Sequence, residues 1–346
     1  MNWPLYNIFV KIKKNKKYER GTKMVELREG SNNVEIIGTV KKVKLEEKVS
    51  KNGKGLISGE VIVEVKEPAL NRVHNIKVRL FQMKHKKDGT INGIFKGYKT
   101  VQEEWKPGDR CRINGSIDLN RYYNGQGNLV EFNEIKGLFC NRLEGEEANR
   151  PDKAIATVDM IVRGISSELD SDGIPTGNLD VDAMTIGYGP KVIMLKDMII
   201  GKELGQQFQQ MYTPGTTGRI TFKINNYAEV VKEEVPQENQ LGFGVADRVE
   251  DNVVTDYNSS FEIIGGDLPY NDGVNEYTQE QIAEAERLDQ LAIQTLKQEN
   301  SAPTTPTGFG AVQPKSSNGA VNDLMNTFTG GVDDDNPFAD NGIPAF

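Results

Sequence analysis

The chain has 346 residues, of which 37% are hydrophobic and 27% charged. This length allows two domains with buried cores, and no apolar run approaches the roughly 20 residues of a membrane-spanning helix. Two cysteines, Cys111 and Cys140, and two histidines, His74 and His85, are too few and too scattered for a zinc site or a disulfide framework. The composition therefore predicts an intracellular protein with reduced thiols, no metal and no cofactor.

The net charge of -8 averages segments of opposite sign. Residues 24–150 carry 23 basic and 18 acidic side chains, residues 151–232 carry 8 and 10, and residues 233–346 carry 4 and 21. A basic body with a strongly acidic tail favours a polyanionic ligand at one end and a basic protein partner at the other.

The first residues form a basic extension, predicted to be disordered over residues 1–33. Residues 1–23 mix apolar and basic side chains, which allows a membrane-surface helix. In the alternative interpretation this stretch is not translated in nature. The run from Glu19 to Met24 can be encoded by a purine-rich ribosome-binding site followed by a start codon, which predicts that translation begins at Met24.

The body contains a diverged internal repeat. Thr39-Val40 recurs as Thr157-Val158, and Gly59 with the alternating residues after it recurs at Gly177, both at an offset of 118. A third block, from Trp105 to Ile117, recurs from Tyr212 to Ile224 at an offset of 107. Three blocks in the same order indicate two copies of one domain.

Each copy alternates short apolar-polar strands with Gly, Asn and Asp turns, which predicts an all-β fold. The strands of the first copy are predicted near residues 34–45, 57–66, 75–84, 110–118 and 128–136. Five strands with an insertion between the third and fourth match the OB-fold, a partly open barrel that binds oligonucleotides. Two tandem OB-fold-like barrels are therefore predicted, at 34–143 and 154–264, with the last strand near Phe261–Ile264.

A capping box from Thr278 to Gln281 predicts a helix over 278–299. Its apolar stripe, which includes Ile282, Ala285 and Leu288, either packs on the second barrel or mediates self-association. Residues 300–332 are rich in Pro, Thr, Ser and Gly and predict a flexible linker.

Features present in both copies, such as Trp105 and Arg112, are assigned to the scaffold. In the first copy alone, the predicted third strand places Lys77, Arg79 and Phe81 opposite its apolar face. Cations for phosphates beside a flat ring for a base are typical of single-strand binding. The alternative is that Phe81 turns towards a second apolar layer.

Three further groups in the first copy extend this predicted nucleic-acid site. A basic loop and a hairpin tip flank the strand, and the insertion adds lysines and a tyrosine. The predicted residues are Lys48, Lys51 and Lys54 in the loop, Arg121, Tyr122 and Tyr123 in the hairpin, and Lys84, Lys86, Lys87 and Tyr98 in or next to the insertion. The second barrel is acidic, which predicts weak nucleic-acid contact at best.

The chain ends in an acidic cluster followed by Pro-Phe, on a linker. An ordinary disordered terminus is one interpretation. The aromatic anchors favour a protein-binding tip at residues 333–346 instead. The predicted partner-binding residues are Asp333, Asp334, Asp335, Pro337, Phe338 and Phe346.

The OB-fold body, the linker and this tip resemble bacterial and bacteriophage single-stranded DNA-binding proteins. The resemblance implies that the tip recruits replication, recombination and repair enzymes. Two departures matter: the Pro-Phe of residues 337–338 is internal, and two barrels in one chain differ from the usual single-barrel subunit, so a homodimer is expected in place of a homotetramer. The start signal and the tandem barrels favour a phage protein acting in the cytoplasm of its bacterial host.

These observations predict a non-enzymatic, sequence-independent binder of single-stranded DNA, whose acidic tail competes for the basic groove when DNA is absent. The sequence contains no Gly-rich phosphate loop and no metal-spaced Asp, Glu and His cluster. The alternative is a β-barrel phage structural or assembly protein that binds no nucleic acid.

Overall fold

The computed structural model describes residues 25–50, 52–170, 172–233 and 252–301. Within them the strands are β1 (Asn32–Val49), β2 (Gly55–Glu67), β3 (Arg72–Met83), β4 (Arg110–Tyr123), β5 (Leu129–Arg142), β6 (Lys153–Leu169), β7 (Pro175–Gly187), β8 (Lys191–Leu195), β9 (Met198–Ile200), β10 (Thr217–Glu233) and β11 (Asn252–Gly266). The α-helices are α1 (Gly93–Glu104), α2 (Lys202–Met211) and α3 (Gln279–Ser301), and short 3-10 helices span Pro68–Leu70 and Gly145–Asn149.

The first five strands close into a barrel in the order β1-β2-β3-β5-β4, and β4 returns to β1. All contacts are antiparallel except that between β3 and β5. This is the strand order expected of an OB-fold. Alternate residues of each strand fill the interior, where Ile36, Val61, Val78, Ile113 and Ile135 are all buried. The all-β prediction and the first barrel are confirmed.

The second barrel repeats this order as β6-β7-β9-β11-β10, with β10 returning to β6 and β8 pairing along β7. The predicted last strand near Phe261 lies within β11. The predicted irregular insertion of the first barrel contains α1, capped by the side chain of Asn92, and α2 occupies the same place in the second barrel. Trp105 and Tyr212, which follow the two helices, are both buried, as expected of scaffold residues.

Hydrogen bonds correct the register of the repeat. The amide of Gly108 donates to the carbonyl of Val40 at 2.9 Å, and the amide of Gly215 donates to that of Val162 at 2.8 Å. Val40 therefore corresponds to Val162, an offset of 122, whereas the sequence alignment used 118. The offset of 107 between the Gly108 and Gly215 blocks is confirmed.

The second strands show a smaller error. Val43 lies opposite Val61, and Ile165 lies opposite Val181. The offset between β2 and β7 is therefore 120 and not 118. Both errors are even numbers of residues. Because side chains alternate with a period of two, an even shift leaves the apolar pattern matched and cannot be detected from hydrophobicity.

The same correspondence holds for the strands that complete the two barrels. Val78 lies opposite Ile135 in the parallel pair of β3 and β5. Met198 lies opposite Phe261 in the parallel pair of β9 and β11. The hydrogen-bonded register thus relates the two barrels residue by residue across all five strand positions.

The barrels are joined through their first strands. Antiparallel β1 and β6 pair from Asn32, opposite Val158, to Ile37, opposite Lys153. Val34 lies opposite Ala156, which is its own counterpart in the repeat. A local pseudo-twofold axis therefore passes through this pair, and the two barrels form one eleven-stranded sheet. This is the geometry of an isologous dimer built within a single chain.

The predicted disorder of residues 1–33 is wrong at its C-terminal end. Leu27 is buried, the guanidinium of Arg28 lies 3.7 Å from the carboxylate of Asp159, and the amide of Gly30 donates to the carbonyl of Ile186 at 2.8 Å. These contacts attach the segment that precedes β1 to the second barrel. Residues 1–24, with the predicted start at Met24, lie outside the described residues.

The predicted C-terminal helix and its capping box are confirmed. The amide of Thr278 donates to Gln281 Oε1 at 2.9 Å, and the amide of Gln281 donates to Thr278 Oγ1 at 3.3 Å. Ile282 and Ala285 are buried, and α3 contacts β4 and β8, so the helix packs on both barrels. The linker and the acidic tip fall outside the described residues. No described helix has the length and hydrophobicity needed to span a membrane.

Candidate nucleic-acid interface

The outer face of β3 carries the residues predicted to bind nucleic acid. Ile76, Val78 and Leu80 point into the barrel and are at most 1% exposed. The opposite, outward set is partly exposed and consists of Lys77, Arg79, Phe81 and Met83. The strand prediction and its division into two faces are confirmed.

Arg79 and Phe81 line a cleft of about 310 Å³ on the outer surface of the first barrel. The cleft crosses β3, β5 and β4, and Glu134, Lys136 and Ser116 line it from the last two strands. Lys136 lies beside Arg79 because the two residues are opposite each other in the parallel pair of β3 and β5. The cleft therefore combines an aromatic wall with two cations.

A second cleft of about 390 Å³ adjoins the first. It lies beneath the loop that follows β3, and Phe81, Gln82, His85, Lys86 and Lys87 line it. Phe81 and Gln82 line both clefts, so the two lie side by side along the end of β3. We call this combined surface the β3 groove.

The cations inside the β3 groove are compensated by carboxylates. Arg79 and Lys136 each lie 3.8 Å from Glu134, and Lys136 also forms an ion pair with Asp118, which is shared with Lys191 of the second barrel. Burial raises the pKa of a carboxyl group, but the ammonium groups of Lys191 and Lys136 outweigh burial and hold the pKa of Asp118 at about 2. This buried cluster fixes the groove floor against the second barrel.

The rim of the groove carries the excess positive charge. Lys54, Lys84, Lys86 and Lys87 form no ion pair with any residue that the structure describes. The amide of Lys84 donates to the carbonyl of Gly55 at 2.9 Å, which places the loop between β1 and β2 beside the rim. The structure thus brings Lys54 near the predicted residues of the loop after β3.

The rest of the basic loop contributes less to this surface. Lys48 lies 3.2 Å from the carboxylate of Glu46, an exposed pair that is readily broken. Lys51 lies outside the described residues.

Lys77, on β3, has only 11% of its side chain exposed and lies 3.9 Å from Glu60. Burial, partly offset by Glu60, lowers the pKa of Lys77. It is a shielded cation below the groove.

Tyr98 lines the first cleft, but its burial contradicts the prediction that it contacts nucleic acid. Tyr98 lies on the buried side of α1 and is only 2% exposed. Its hydroxyl donates a hydrogen bond to the carbonyl of Gly137 at 2.7 Å. Burial raises the pKa of Tyr98 well above its usual range. Phe95, Tyr98 and Val101 are buried together along one face of α1, so the tyrosine ring packs this helix on the barrel.

The prediction for Arg121 is also wrong. Its side chain is 8% exposed and lies 2.5 Å from the carboxylates of both Glu131 and Asp289. Asp289 belongs to α3, so Arg121 anchors the C-terminal helix to the hairpin between β4 and β5. A guanidinium held by two carboxylates in a buried site is not available to a phosphate.

The two hairpin tyrosines are partly exposed. Tyr122 makes an edge-to-face contact with Phe132 at a ring-centroid distance of 6.4 Å, on the outer face of β4 and β5. Tyr123 lies opposite Leu129 at the end of the hairpin. The strand alternation places the two rings on different sides, as predicted, and only Tyr122 shares the outer face that leads to Glu134 and the groove.

Sequence reasoning missed Lys136 and Phe132. The signal was present, because the partly exposed Phe132 and Lys136 share one face of β5 with Glu134, whereas Asn133 and Ile135 are buried on the other face. The period that identified the outer face of β3 therefore identifies that of β5 as well. What the sequence does not contain is the parallel contact that places Lys136 beside β3.

The two cysteines are unsuited to nucleophilic chemistry. Burial raises the pKa of Cys111 and of Cys140 to about 12, so both thiols are protonated at neutral pH. Across the described ranges of the chain, no three His, Cys, Asp or Glu side chains are grouped so that they could hold a metal ion.

Comparisons with solved structures give fold-level likenesses to single-stranded DNA-binding proteins. A deletion mutant of the protein from Thermus aquaticus has 12% identity, a TM-score of 0.44, and coverage of 73% of this chain and 98% of its own. The wild-type Thermus aquaticus protein has 13% identity and a TM-score of 0.43, with coverage of 70% of this chain and 95% of its own. The Plasmodium falciparum SSB in complex with ssDNA has 12% identity and a TM-score of 0.25, with coverage of 35% of this chain and 100% of its own. These identities and TM-scores transfer no function to the chain.

No curated protein matches the chain. A family model described as YorF matches residues 31–299, more than half of the chain, so the chain belongs to the YorF family.

Proposed function

We propose that this member of the YorF family binds single-stranded DNA in the β3 groove, with little sequence preference. The observation that carries the proposal is the position of Phe81, which lines both clefts of the groove. Arg79 and Lys136 line the first cleft with it, and Lys86 and Lys87 line the second. An aromatic platform with cations before and after it matches the repeat of base and phosphate along an unpaired strand.

The chemistry of the groove favours single strands over duplexes. Every base has a π-face that can stack on Phe81, whereas a base inside a duplex already has neighbours on both faces. Stacking reads no base edge, so the proposed site is tolerant of sequence. The phosphates are expected on the uncompensated lysines of the rim, because the cations of the groove floor already have carboxylate partners.

A fluorescence anisotropy titration of the full chain with labelled oligo-dT tests the proposal. We expect saturable binding of oligo-dT and much weaker binding of a duplex of the same length. If the four rim lysines each contact a phosphate, log K should fall with log salt with a slope of about -3. Equal affinity for duplex and single strand, or no binding at low salt, would contradict the proposal. The second result would favour the alternative of a structural or assembly protein.

We also propose that the protein is not an enzyme and that it acts in bacteriophage DNA replication, recombination or repair, in the bacterial host cytoplasm. The raised pKa of both thiols supports the first part. The second rests on the sequence resemblance and on the acidic tip at residues 333–346. Deleting the tip should abolish capture of host or phage replication proteins on an affinity column while oligo-dT binding persists. Retained capture would refute the role of the tip.

A further inference from the structure

A β-bulge on β5 exposes an aromatic ring at the edge of the groove. Gly137 lies opposite Gly115, but Phe139 lies opposite Asn114, so Leu138 is an extra residue in the strand. Leu138 lines the first cleft and is 45% exposed, and Phe139 beyond it is 56% exposed. Bulges re-aim side chains and occur next to functional sites. The bulge therefore continues the groove from Leu138 to the ring of Phe139.

An arginine whose guanidinium has no partner among the described residues lies diagonally across the strand pair from Phe139. Arg112 lies opposite Asn141 on the neighbouring strand, which makes Phe139 its diagonal neighbour on the same outward face. The Nε of Arg112 is buried from solvent and has no hydrogen-bond partner. The side chain of Arg112 forms no hydrogen bond and no ion pair with any residue that the structure describes. A shielded donor of this kind calls for an anion.

The second barrel shows which group pairs with the equivalent arginine. Arg219 is the counterpart of Arg112 in the second barrel, and its Nε donates to the carboxylate of Asp159 at 3.2 Å. Asp159 lies opposite Arg219, and Ile37 lies opposite Arg112 in the same way. The first barrel therefore keeps the arginine and replaces its carboxylate with an apolar side chain.

The bulge itself occurs in both barrels, whereas the ring occurs in one. The register of the second barrel shifts at the equivalent point, between Thr221 and Phe222, and leaves Ile264 as its extra residue. Ile264 is 43% exposed and corresponds to Leu138, but the next residue is Gly265, where the first barrel has Phe139. The bulge belongs to the scaffold, and the aromatic ring and the unpaired arginine are specific to the first barrel.

We propose that Phe139 and Arg112 form a second contact for single-stranded DNA, in which one base stacks on Phe139 and the adjacent phosphate accepts hydrogen bonds from Arg112. The inference rests on the proposed function, because the DNA strand reaches this site only after it has left the β3 groove and passed over Leu138. The assignment revises the role of Arg112, which the sequence placed in the scaffold. In this path the phosphate is the anionic partner of Arg112, as the carboxylate of Asp159 is the anionic partner of Arg219 in the second barrel.

Oligo-dT titrations of the full-length variants Phe139→Ala and Arg112→Gln test the proposal. Loss of one stacked base should weaken binding by about 5- to 150-fold in Phe139→Ala. Arg112→Gln should also weaken binding and make the salt slope shallower by about 0.7. Leu268→Ala, which removes another exposed apolar side chain in the segment after β11, should leave affinity unchanged. The variant Phe139→Trp should show oligo-dT quenching of tryptophan emission beyond that of the wild-type chain.

The outcomes separate this inference from the proposed function. Wild-type binding of oligo-dT with unchanged affinity in both variants would overturn the second contact and leave the β3 groove in place. Absence of wild-type binding would overturn both. Unchanged DNA affinity together with a lower sedimentation coefficient in Phe139→Ala would overturn the inference and assign the ring to contact between copies of the chain.

Discussion

The double substitution Lys86→Gln/Lys87→Gln tests where the phosphates lie. Both lysines are exposed in the loop after β3 and form no ion pair with the described residues, so their removal breaks no internal contact. Each phosphate neutralised on a single strand contributes about 0.7 to the slope of log K against log salt. We therefore expect the slope to become shallower by about 1.4, which for the contribution of the rim lysines alone is a change from about -2.8 to about -1.4.

This change has a measurable consequence for affinity. Between 50 and 200 mM salt the wild-type chain should lose about 50-fold in affinity for oligo-dT, and the variant should lose only about 7-fold. Anisotropy titrations at four salt concentrations give both slopes. The thermal unfolding temperature should stay the same, because neither side chain is packed.

A matched control removes the same charge elsewhere. Lys66 and Lys202 are also exposed, but they lie away from the β3 groove, at the end of β2 and the start of α2. The variant Lys66→Gln/Lys202→Gln should keep the wild-type slope. Equal slopes in all three proteins would refute the placement of phosphates on the groove rim, and equal reduction in both variants would show that only net charge matters.

Three further substitutions probe the groove and its support. Phe81→Ala should weaken oligo-dT binding by about 5- to 150-fold, whereas Val73→Ala, an exposed site on the same strand, should not; equal affinity of the two would remove Phe81 from the site. Tyr98→Phe leaves the carbonyl of Gly137 without its partner, so denaturant unfolding should show a loss of about 1–3 kcal/mol with unchanged DNA affinity. Asp118 has a folded-state pKa of about 2, below its unfolded value, so its stabilisation is present above about pH 4 and lost as the pH falls towards 2. The stability gap between wild type and Asp118→Asn should shrink by about 2 kcal/mol over that range, and a constant gap would exclude this linkage.

The strand pattern of the first barrel could be predicted because its sequence alternates. Ile76, Val78 and Leu80 fill the interior, and the prediction placed them there. Helix α1 was missed because it is only 12 residues long and contains Gly97 and the β-branched residues Thr100 and Val101, which weaken its helical signal. Without the helix, Tyr98 has no visible reason to be buried, and its ring was assigned to the ligand.

The misassignment of Arg121 has a different cause. Its local sequence, a turn beside two tyrosines, is that of an exposed hairpin tip. The carboxylate that buries the guanidinium belongs to Asp289, which lies 168 residues further along the chain. Contacts between distant segments are set by the packing of α3 on the barrels, and no local pattern in either segment encodes them. The unpaired state of Arg112 was hidden for the same reason, because it follows from the strand register.

The corrected register allows the two barrels to be compared at the positions that form the groove. Lys136 corresponds to Glu262, since each lies one residue beyond the equivalent parallel pair of its barrel. Phe81 corresponds to Gly201, the residue that caps α2. The second barrel thus has a carboxylate, paired with Lys223, in place of the cation and no side chain in place of the ring, so it offers an unpaired DNA strand neither that cation nor a stacking surface. Its first strand instead pairs with β1 and its Lys191 holds Asp118, which makes the second barrel the support on which the β3 groove is built.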